Sequence, residues 1–337
     1  MSGTPPRGAH WVRVPRFFGD AMMIHAAIAP LRAAGLPIVM WGPEWVLDLF
    51  EGSADVVATV PDPTRKYSPW QASRMLHSHR PAAVINFPKS QRPLAAAFLA
   101  RVPLRLGCGD GGAWLLCTHS IAFYRQDSPF VERYAGVVRR AYPQLPEPAF
   151  RPYRPRLAAM EEAARLRAER GIGPYVVVAP GANCWNKRLP TATLADFGRL
   201  ARGQGLDVVI LGGKGEDQQL AAAIREDFPE AVDLTGQGGL AFSAAWICGA
   251  QGLLGVDSGL AHVAGSAGIP TLAVFGPTRP RHSGPWGPRV RTYRVEDLPC
   301  LECMGWECPL PDHPCMRRPQ AAALWDLLAA LMEERTR

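Results

Sequence analysis

Residues 252–275, GLLGVDSGLAHVAGSAGIPTLAVF, contain two short apolar runs on either side of a longer run with helical character. Gly252–Val256 and Thr271–Phe275 have the length and composition of buried strands, and Gly259–Ala267 is typical of a helix. A strand, a helix and a second strand in this order predict a parallel β-α-β unit with a right-handed crossover. The stretch therefore places the chain in the α/β class.

The alternation continues through both halves of the chain, which indicates two doubly wound parallel sheets. In the second half the other predicted elements are the strands Tyr175–Ala179 and Asp207–Leu211 and the helices Leu157–Arg170, Thr191–Gly203 and Asp217–Asp227. In the first half the predicted strands are Trp11–Pro15, Leu36–Trp41, Asp55–Val60, Ala82–Phe87 and Leu104–Cys108. The predicted helices there are Asp20–Ala34, with Pro30 favouring a kink, Pro69–His79 and Ser90–Ala100.

A proline-rich stretch separates the two series. Five prolines lie between Pro143 and Pro155, and proline neither continues a helix nor donates to a sheet, so this stretch is the expected linker. We expect a Rossmann-like domain at residues 1–150 and a second one at residues 151–319. The last segment, 320–337, is expected to carry a terminal amphipathic helix at Gln320–Glu334.

The composition sets limits on the class of protein. A chain of 337 residues with 47% hydrophobic and 20% charged residues fits two globular domains. The net charge of +7 favours anionic partners, such as nucleotides or phosphorylated lipids. No apolar run reaches the roughly 18 residues needed to cross a bilayer, and the polar N-terminus lacks a signal-peptide core. We therefore expect a cytoplasmic protein whose eight cysteines are thiols or metal ligands.

Four loops of the second half each follow a predicted strand. In a parallel sheet such loops emerge at the carboxyl edge, where open α/β sheets bind ligands. They are expected to meet at one crevice. The loops are Pro180–Arg188, Leu211–Asp217, Val256–His262 and Phe275–Thr278.

The first two loops suit a nucleotide diphosphate. Small residues let backbone N–H groups approach an anion, and a basic pair follows them. An acidic residue that ends the second loop could accept hydrogen bonds from a ribose, and helix capping is the more expected role for Asp217. The candidate donor-binding residues here are Gly181, Ala182, Asn183, Lys187, Arg188 and Glu216.

The third loop opens a helix, whose first N–H groups and positive dipole end can bind a phosphate at Ser258, Gly259 and Leu260. Asp257 is placed to contact ligand hydroxyls or to hold the loop. His262 lies on the same helix face as Ser258, and the alternative for it is a histidine packed in the core.

The order of these motifs resembles glycosyltransferase family 9, the lipopolysaccharide heptosyltransferases. Pro-Gly-Ala…Lys-Arg, Leu-Gly-Gly…Glu, Asp-Ser-Gly-Leu-Ala-His and Ala-Gly-Ile-Pro-Thr…Phe-Gly-Pro-Thr carry the resemblance over residues 175–318. Phe18-Gly19-Asp20 extends it into the first half. The resemblance implies a GT-B fold, with two Rossmann-like domains whose parallel sheets face a central cleft. It also implies an inverting transfer of heptose from ADP-heptose to the inner core of lipopolysaccharide.

Residue roles follow from this resemblance. Asp20 corresponds to the catalytic base, for which the alternative is a helix N-cap. Lys187 corresponds to the lysine near the diphosphate, and Glu216 to the acid facing the ribose. Asp257–Leu260 and His262 correspond to the donor loop. No cofactor is expected for catalysis, because Lys187, Arg188 and the helix start can balance the charge of the leaving ADP and no Asp-x-Asp motif is evident.

Basic residues of the first half are candidates for binding an anionic glycolipid acceptor, with a solvated surface as the alternative for each. The candidates are Arg16, Arg65 and Lys66. The same charge favours peripheral contact with an anionic membrane at the cytoplasmic face. Nucleic acid is not an expected partner, because the interleaved aromatic and basic pattern of single-strand binding is absent.

A compact cysteine array, Cys300-x2-Cys303-x4-Cys308-x6-Cys315, follows the last predicted strand. Such spacing can build a structural zinc or iron site. The alternative is that the cysteines only shape a loop.

Two other functions remain compatible with this pattern. One is a GT-B enzyme that uses another nucleotide sugar, and the other is a nucleotide-sugar 2-epimerase. The acceptor dependence of ADP release separates a transferase from an epimerase, because an epimerase needs no second sugar.

Overall fold

The computed structural model describes residues 4–62, 67–87, 90–123 and 127–334. The chain divides into two compact units. The first comprises residues 1–151 and 155–157, and the second comprises residues 152–154 and 158–337. Within the described ranges, no helix is both long and apolar enough to span a membrane.

The first unit is built on a six-stranded parallel sheet in the order β3-β2-β1-β4-β5-β6. Its strands are β1 (His10–Arg13), β2 (Ile38–Gly42), β3 (Ala58–Pro61), β4 (Ala83–Asn86), β5 (Leu104–Cys108) and β6 (His119–Ile121). Its helices are α1 (Phe18–Ala27), α2 (Ala29–Ala33), α3 (Glu44–Leu47), α4 (Pro69–His79), α5 (Arg92–Leu99) and α6 (Phe130–Ala141), and a 3-10 segment spans Asp110–Leu116.

The second unit has a six-stranded parallel sheet in the order β12-β11-β10-β7-β8-β9. Its strands are β7 (Tyr175–Ala179), β8 (Asp207–Ile210), β9 (Val232–Asp233), β10 (Gly252–Val256), β11 (Thr271–Val274) and β12 (Val290–Tyr293). Its helices are α8 (Thr191–Gly203), α9 (Glu216–Asp227), α10 (Leu240–Cys248), α11 (Gly259–Ala267), α12 (Pro280–Ser283), α13 (Pro314–Arg317) and α14 (Ala321–Glu333), and α7 spans Leu157–Glu169 at the boundary of the units.

The predicted α/β class is confirmed, and so is the alternation of strands and helices. The predicted helix Asp20–Ala34 is two helices that meet at Ile28, because Pro30 occupies the first turn of α2 and cannot donate to the preceding turn. Two of the longer helices, α6 and α10, were not predicted, and neither were the four-residue helices α3, α12 and α13. Seven of the nine residues of α10 are buried, so it shows no polar face that would reveal a helical period.

Each sheet is covered by helices and has an apolar interior. The central strands β7 and β10 are buried along their whole length, which agrees with their continuous apolar sequences. In the second unit, Leu324, Trp325 and Leu328 of α14 pack into the same core as the strands. The terminal helix is therefore an integral layer of that unit.

Candidate active site

The second sheet reverses its order of connection between β7 and β10, which are neighbours. The loops that follow these two strands therefore leave the carboxyl edge side by side, at the point where open α/β sheets bind ligands. Lys187 lies in the first loop and Asp257 in the second. The Lys187 Nζ to Asp257 Oδ2 distance is 2.6 Å, and the two side chains are only 16% and 10% exposed. The sheet topology thus brings two candidate residues into one ion pair.

Thr278 completes this contact from a third loop, the one after β11. Its Oγ1 donates a hydrogen bond of 2.8 Å to the same Asp257 Oδ2 that accepts from Lys187. Thr278 is itself buried. The carboxylate of Asp257 therefore orients Lys187 and is fixed by two donors. Sequence reasoning assigned the fourth loop to this crevice but did not identify the hydroxyl of Thr278.

The start of α11 lies directly beside this ion pair. Ser258 is the N-cap residue, with an extended backbone, but its side chain makes no capping hydrogen bond. Its Oγ is buried and has no hydrogen-bond partner among the residues that the structure describes. The helix continues through Gly259 and Leu260, so its first N–H groups have no acceptor within the helix. The site thus offers unsatisfied donors and a positive helix end to an anion.

A second cluster joins the loops after β7 and β8. Arg188 forms an ion pair with Glu216 and donates a hydrogen bond of 3.0 Å to the carbonyl of Ala182. The side chain of Glu216 is 72% exposed and thus accessible to a ligand. Asn183 is exposed at the tip of the first loop. The predicted capping role of Asp217 is wrong, because Gly215 is the N-cap residue of α9.

The carboxylate of Asp217 instead links the two loops from within. It accepts a hydrogen bond of 2.6 Å from the backbone N–H of Gly213. A Cβ atom at Gly181 would lie 2.1 Å from Asp217 Oδ1, and one at Gly212 would lie 2.7 Å from Asp217 Cβ. Glycine is therefore needed at both positions because the side chain of Asp217 fills the space that a Cβ atom would occupy. The approach of a diphosphate is not required to explain these two glycines.

Replacing Gly212 with Ala is expected to destabilise the protein by about 1–3 kcal/mol, because the added methyl group overlaps Asp217 and the loop must shift. Gly213→Ala is the matched control, since its Cβ would lie 3.6 Å from Asp217 Oδ2, an ordinary contact distance. Urea denaturation of both variants measures the difference. Equal free energies of unfolding would show that Asp217 moves away at no cost.

His262 is buried behind the ion pair, on the fourth position of α11. Burial lowers its pKa to about 4, and the nearby Asp257 opposes this shift while Lys187 adds to it. Nδ1 of His262 has no hydrogen-bond partner within the described ranges. The histidine is therefore neutral near pH 7. Its burial confirms the alternative of a histidine packed in the core, and its predicted part in donor binding stays a prediction.

The lowered pKa of His262 predicts a loss of stability in mild acid. Below pH 6.5 the unfolded chain binds a proton at this position and the folded chain does not, so the free energy of unfolding falls. Between pH 6.5 and about pH 4, His262 is expected to lower the free energy of unfolding by about 1.4 kcal/mol for each pH unit. Urea denaturation across this range should show a smaller pH slope for His262→Gln than for the wild type. His77→Gln, at an exposed position of α4, should keep the wild-type slope.

The comparisons with known proteins agree with this geometry. The profile of glycosyltransferase family 9 (heptosyltransferase) matches residues 71–313, which is more than two thirds of the chain. The chain belongs to glycosyltransferase family 9. It is thus a glycosyltransferase by family, as the motif order predicted.

Individual relatives are also named as heptosyltransferases. Over 302 residues the chain is 23% identical to lipooligosaccharide heptosyltransferase 2 of Haemophilus influenzae, covering 83% of this chain and 87% of the relative. Over 135 residues it is 30% identical to lipopolysaccharide heptosyltransferase 1 of Pseudomonas aeruginosa, covering 40% of this chain and 38% of that relative. The solved structure of Escherichia coli ADP-heptose lps heptosyltransferase II is similar, with a TM-score of 0.79, 21% identity and coverage of 96% and 98% of the two chains. The likeness confirms a GT-B fold.

Two candidates of the first unit, Asp20 and Arg16, follow β1 and lie at the carboxyl edge of its sheet. Asp20 is the third residue of α1, and the N-cap position belongs to Phe17, so the alternative role as N-cap is wrong. Asp20 is partly buried, and Arg16 is exposed in the loop that precedes α1. Arg65 and Lys66 lie outside the described residues.

The four cysteines of the array line one small cavity, together with Asn186 and His313. Burial and the neighbouring thiols raise the pKa of Cys315 to about 11, which favours a protonated thiol. Among the residues described, no group of three or more His, Cys, Asp or Glu side chains is placed to hold a metal ion. The four thiols of the predicted site therefore lie around one cavity, and the described side chains do not form a ready-made metal site.

The cysteine segment contacts the loops that follow β7 and β11. Asn186, next to Lys187, is buried and donates hydrogen bonds of 2.6 and 3.2 Å to the carbonyls of Gly305 and Trp306. The backbone N–H of Met304 donates to the carbonyl of Pro277, next to Thr278. The segment therefore supports the loop that carries Lys187 and the loop that carries Thr278, and both of these residues contact Asp257. Sequence reasoning missed this role of Asn186, and no local signal marks it.

Proposed function

We propose that this glycosyltransferase moves a heptose from ADP-heptose to the inner core of lipopolysaccharide, with inversion at the anomeric carbon. The names of the relatives, lipopolysaccharide and lipooligosaccharide heptosyltransferases, support this substrate class. We place the reaction at the cytoplasmic face of the inner membrane, where a nucleotide sugar and a lipid-linked acceptor can meet.

The observation that carries this proposal is the ion pair of Lys187 with Asp257 beside the open start of α11. A departing ADP develops negative charge on its diphosphate. A fixed ammonium group and helix N–H donors stabilise that charge without moving during the reaction. Ser258 Oγ has no other partner within the described residues, so it is available to a phosphate oxygen. The exposed Glu216 is then available to the hydroxyls of the ribose.

The proposed chemistry is a single displacement. An acceptor hydroxyl attacks C1 of the heptose, the bond from C1 to the diphosphate oxygen breaks, and the electron pair leaves with ADP. The carboxylate of Asp20 takes the proton of the hydroxyl as the new bond forms. Attack opposite the leaving group inverts the anomeric carbon. Arg16, Arg65 and Lys66 are proposed to bind the anionic groups of the acceptor.

The cysteine segment has a structural role in this proposal. It supports Asn186 and Pro277, and it takes no part in bond making. A zinc or iron ion taken up by the four thiols would act on this support alone, after the thiols had moved together. Elemental analysis of protein purified without chelators decides whether either metal is present.

The activity is tested by incubating the purified protein with ADP-heptose and a deacylated core acceptor. We expect ADP to be released in proportion to acceptor consumed, and NMR of the product to show the inverted linkage. Release of the nucleoside diphosphate from a different nucleotide sugar, with no ADP released from ADP-heptose, would contradict the donor assignment. Conversion of the nucleotide sugar without acceptor would indicate an epimerase.

A further inference from the structure

A groove runs along the outer flank of the first unit, between β6 and α6. Its volume is about 580 Å³, within the usual range of small-molecule sites. β6 is the last strand of its sheet, so the groove lies beside an edge strand. None of the residues that line it is a candidate donor, acceptor or metal residue. They are His119, Ile121, Gly136, Arg139, Arg140 and Pro143.

The helix that forms one wall of the groove runs from the carboxyl edge of the sheet to the amino edge. Near its start, Tyr134 packs against Phe87, which follows β4, with ring centroids 5.0 Å apart. After its last residue, Oη of Tyr142 lies 2.7 Å from Nε2 of His10, the first residue of β1. The last turn of α6, which carries both arginines, is therefore at the amino edge. The groove is thus separate from the carboxyl edge that carries Asp20.

The groove exists because α6 has a glycine in its middle. Gly136 has a helical backbone without a positive φ, and glycine is unfavourable there because it loses much backbone freedom. Outside α6 itself, a Cβ atom at Gly136 would meet only Cδ1 of Ile121 among the described residues, at 3.8 Å, an ordinary contact. Packing therefore does not require glycine at this position. The effect of Gly136 is to keep the groove open.

Two arginines lean over the space that Gly136 leaves. Arg139 and Arg140 follow it by three and four residues, and helical side chains point toward the N-terminus, over the preceding turn. Arg139 forms an ion pair of 2.7 Å with Glu147, but both side chains are more than half exposed, so the pair contributes little. The guanidinium group of Arg140 makes no hydrogen bond or ion pair with any residue that the structure describes. Both groups are therefore accessible to a ligand.

The strand side of the groove combines a polar and an apolar group. His119 and Ile121 are two residues apart and so lie on the same face of β6. Nδ1 of His119 lies 3.2 Å from Oγ1 of Thr118, which leaves Nε2 for a ligand. Pro143 adds a second apolar surface, and none of the lining side chains is acidic. The groove thus offers positive charge beside an apolar floor.

The charge of the unit favours an anion in this groove. Residues 1–151 contain 17 Lys and Arg against 10 Asp and Glu, whereas residues 152–337 contain 20 of each kind. The whole net charge of +7 therefore belongs to the first 151 residues, and its field raises the local concentration of anions.

We propose that the groove between β6 and α6 binds a small soluble molecule with a phosphate group on an apolar body. Each guanidinium group can donate two parallel hydrogen bonds to a phosphate, and the apolar floor accepts the body of the ligand. A bilayer is a poorer occupant, because none of the exposed large apolar side chains of the described chain lies on β6 or α6 to anchor it. The proposal does not depend on the sugar substrates.

Isothermal titration of the full-length protein with phenyl phosphate at low salt tests this proposal. The probe carries one phosphate and one apolar ring, and excess ADP is present throughout to occupy any nucleotide site. We expect phenyl phosphate to bind at one site per chain. Inorganic phosphate, which lacks the ring, should bind about tenfold more weakly, because it leaves the apolar floor in water.

Two variants locate the binding site. Arg140→Gln should bind phenyl phosphate about tenfold more weakly, because a charge-assisted contact is lost. Gly136→Leu should abolish binding, because the leucine side chain fills the groove, and it should unfold at the same or a higher temperature, because leucine favours a helix. Arg74→Gln is the matched control, since it removes the same charge from an exposed position of α4 in the same unit. It should bind like the wild type.

Three results would overturn the proposal. The first is wild-type protein that does not bind phenyl phosphate, and the second is a Gly136→Leu variant that binds it with wild-type affinity. The third is an equal loss in Arg74→Gln and Arg140→Gln, which would assign binding to the net charge of the unit. Vesicles that contain phosphatidic acid should not displace phenyl phosphate, and displacement would assign the groove to a lipid headgroup instead of a soluble molecule.

Discussion

Replacing Asp20 with Asn is expected to lower kcat by about 10²- to 10⁴-fold, the usual contribution of a general base. The amide has nearly the same shape as the carboxylate but cannot take the proton of the attacking hydroxyl. The KM for the nucleotide sugar should change little, because Lys187, Asp257 and the start of α11 are intact. Steady-state kinetics with saturating donor and acceptor measure both quantities.

A structural role of Asp20 must be separated from this effect. A carboxylate in the first turn of α1 also interacts favourably with the helix dipole, which contributes about 0.3–1 kcal/mol to stability. Glu44→Gln is the matched control, because Glu44 is an acidic residue in the first turn of α3 at the same sheet edge. The Glu44→Gln variant should have the kcat of the wild type. A kcat of Asp20→Asn within a factor of two of the wild type would rule out Asp20 as the base.

Replacing Lys187 with Met is expected to lower kcat/KM by about 10²- to 10³-fold, the usual effect of losing one group that stabilises developing charge. The variant also leaves Asp257, which is only 10% exposed, without its cationic partner. We expect a loss of about 3 kcal/mol in the free energy of unfolding, because an unpaired carboxylate remains in a buried site. Enzyme kinetics and urea denaturation measure the two effects.

The double variant Lys187→Met/Asp257→Asn distinguishes catalysis from folding. Removing both charges should restore most of the stability, since Thr278 can still hydrogen-bond to the amide of Asn. It should not restore activity, because the positive charge that we propose to stabilise the diphosphate is still absent. Full recovery of kcat/KM in the double variant would show that Lys187 only neutralises Asp257.

Much of the fold follows from local sequence patterns. Leu104–Cys108, Pro69–His79, Tyr175–Ala179 and Gly252–Val256 were predicted with the bounds that the structure has. The three strands are largely apolar, and the helix has a capped N-terminus and a periodic pattern, so local and tertiary preferences agree. The prediction failed for α10 because burial on all sides removes the helical period. It also failed for α6, although Val131, Tyr134, Val137 and Val138 show the required spacing.

The order of strands and helices along the chain already predicts which loops lie together, because parallel strands send every following loop to the same edge of the sheet. It could not determine which atoms meet within that edge. Asp257 binds Lys187 from 70 residues away and Thr278 from 21 residues away. Asn186 reaches Gly305 across 119 residues. Such contacts depend on side-chain rotamers and on how the helices and the cysteine segment pack, which no local sequence pattern specifies.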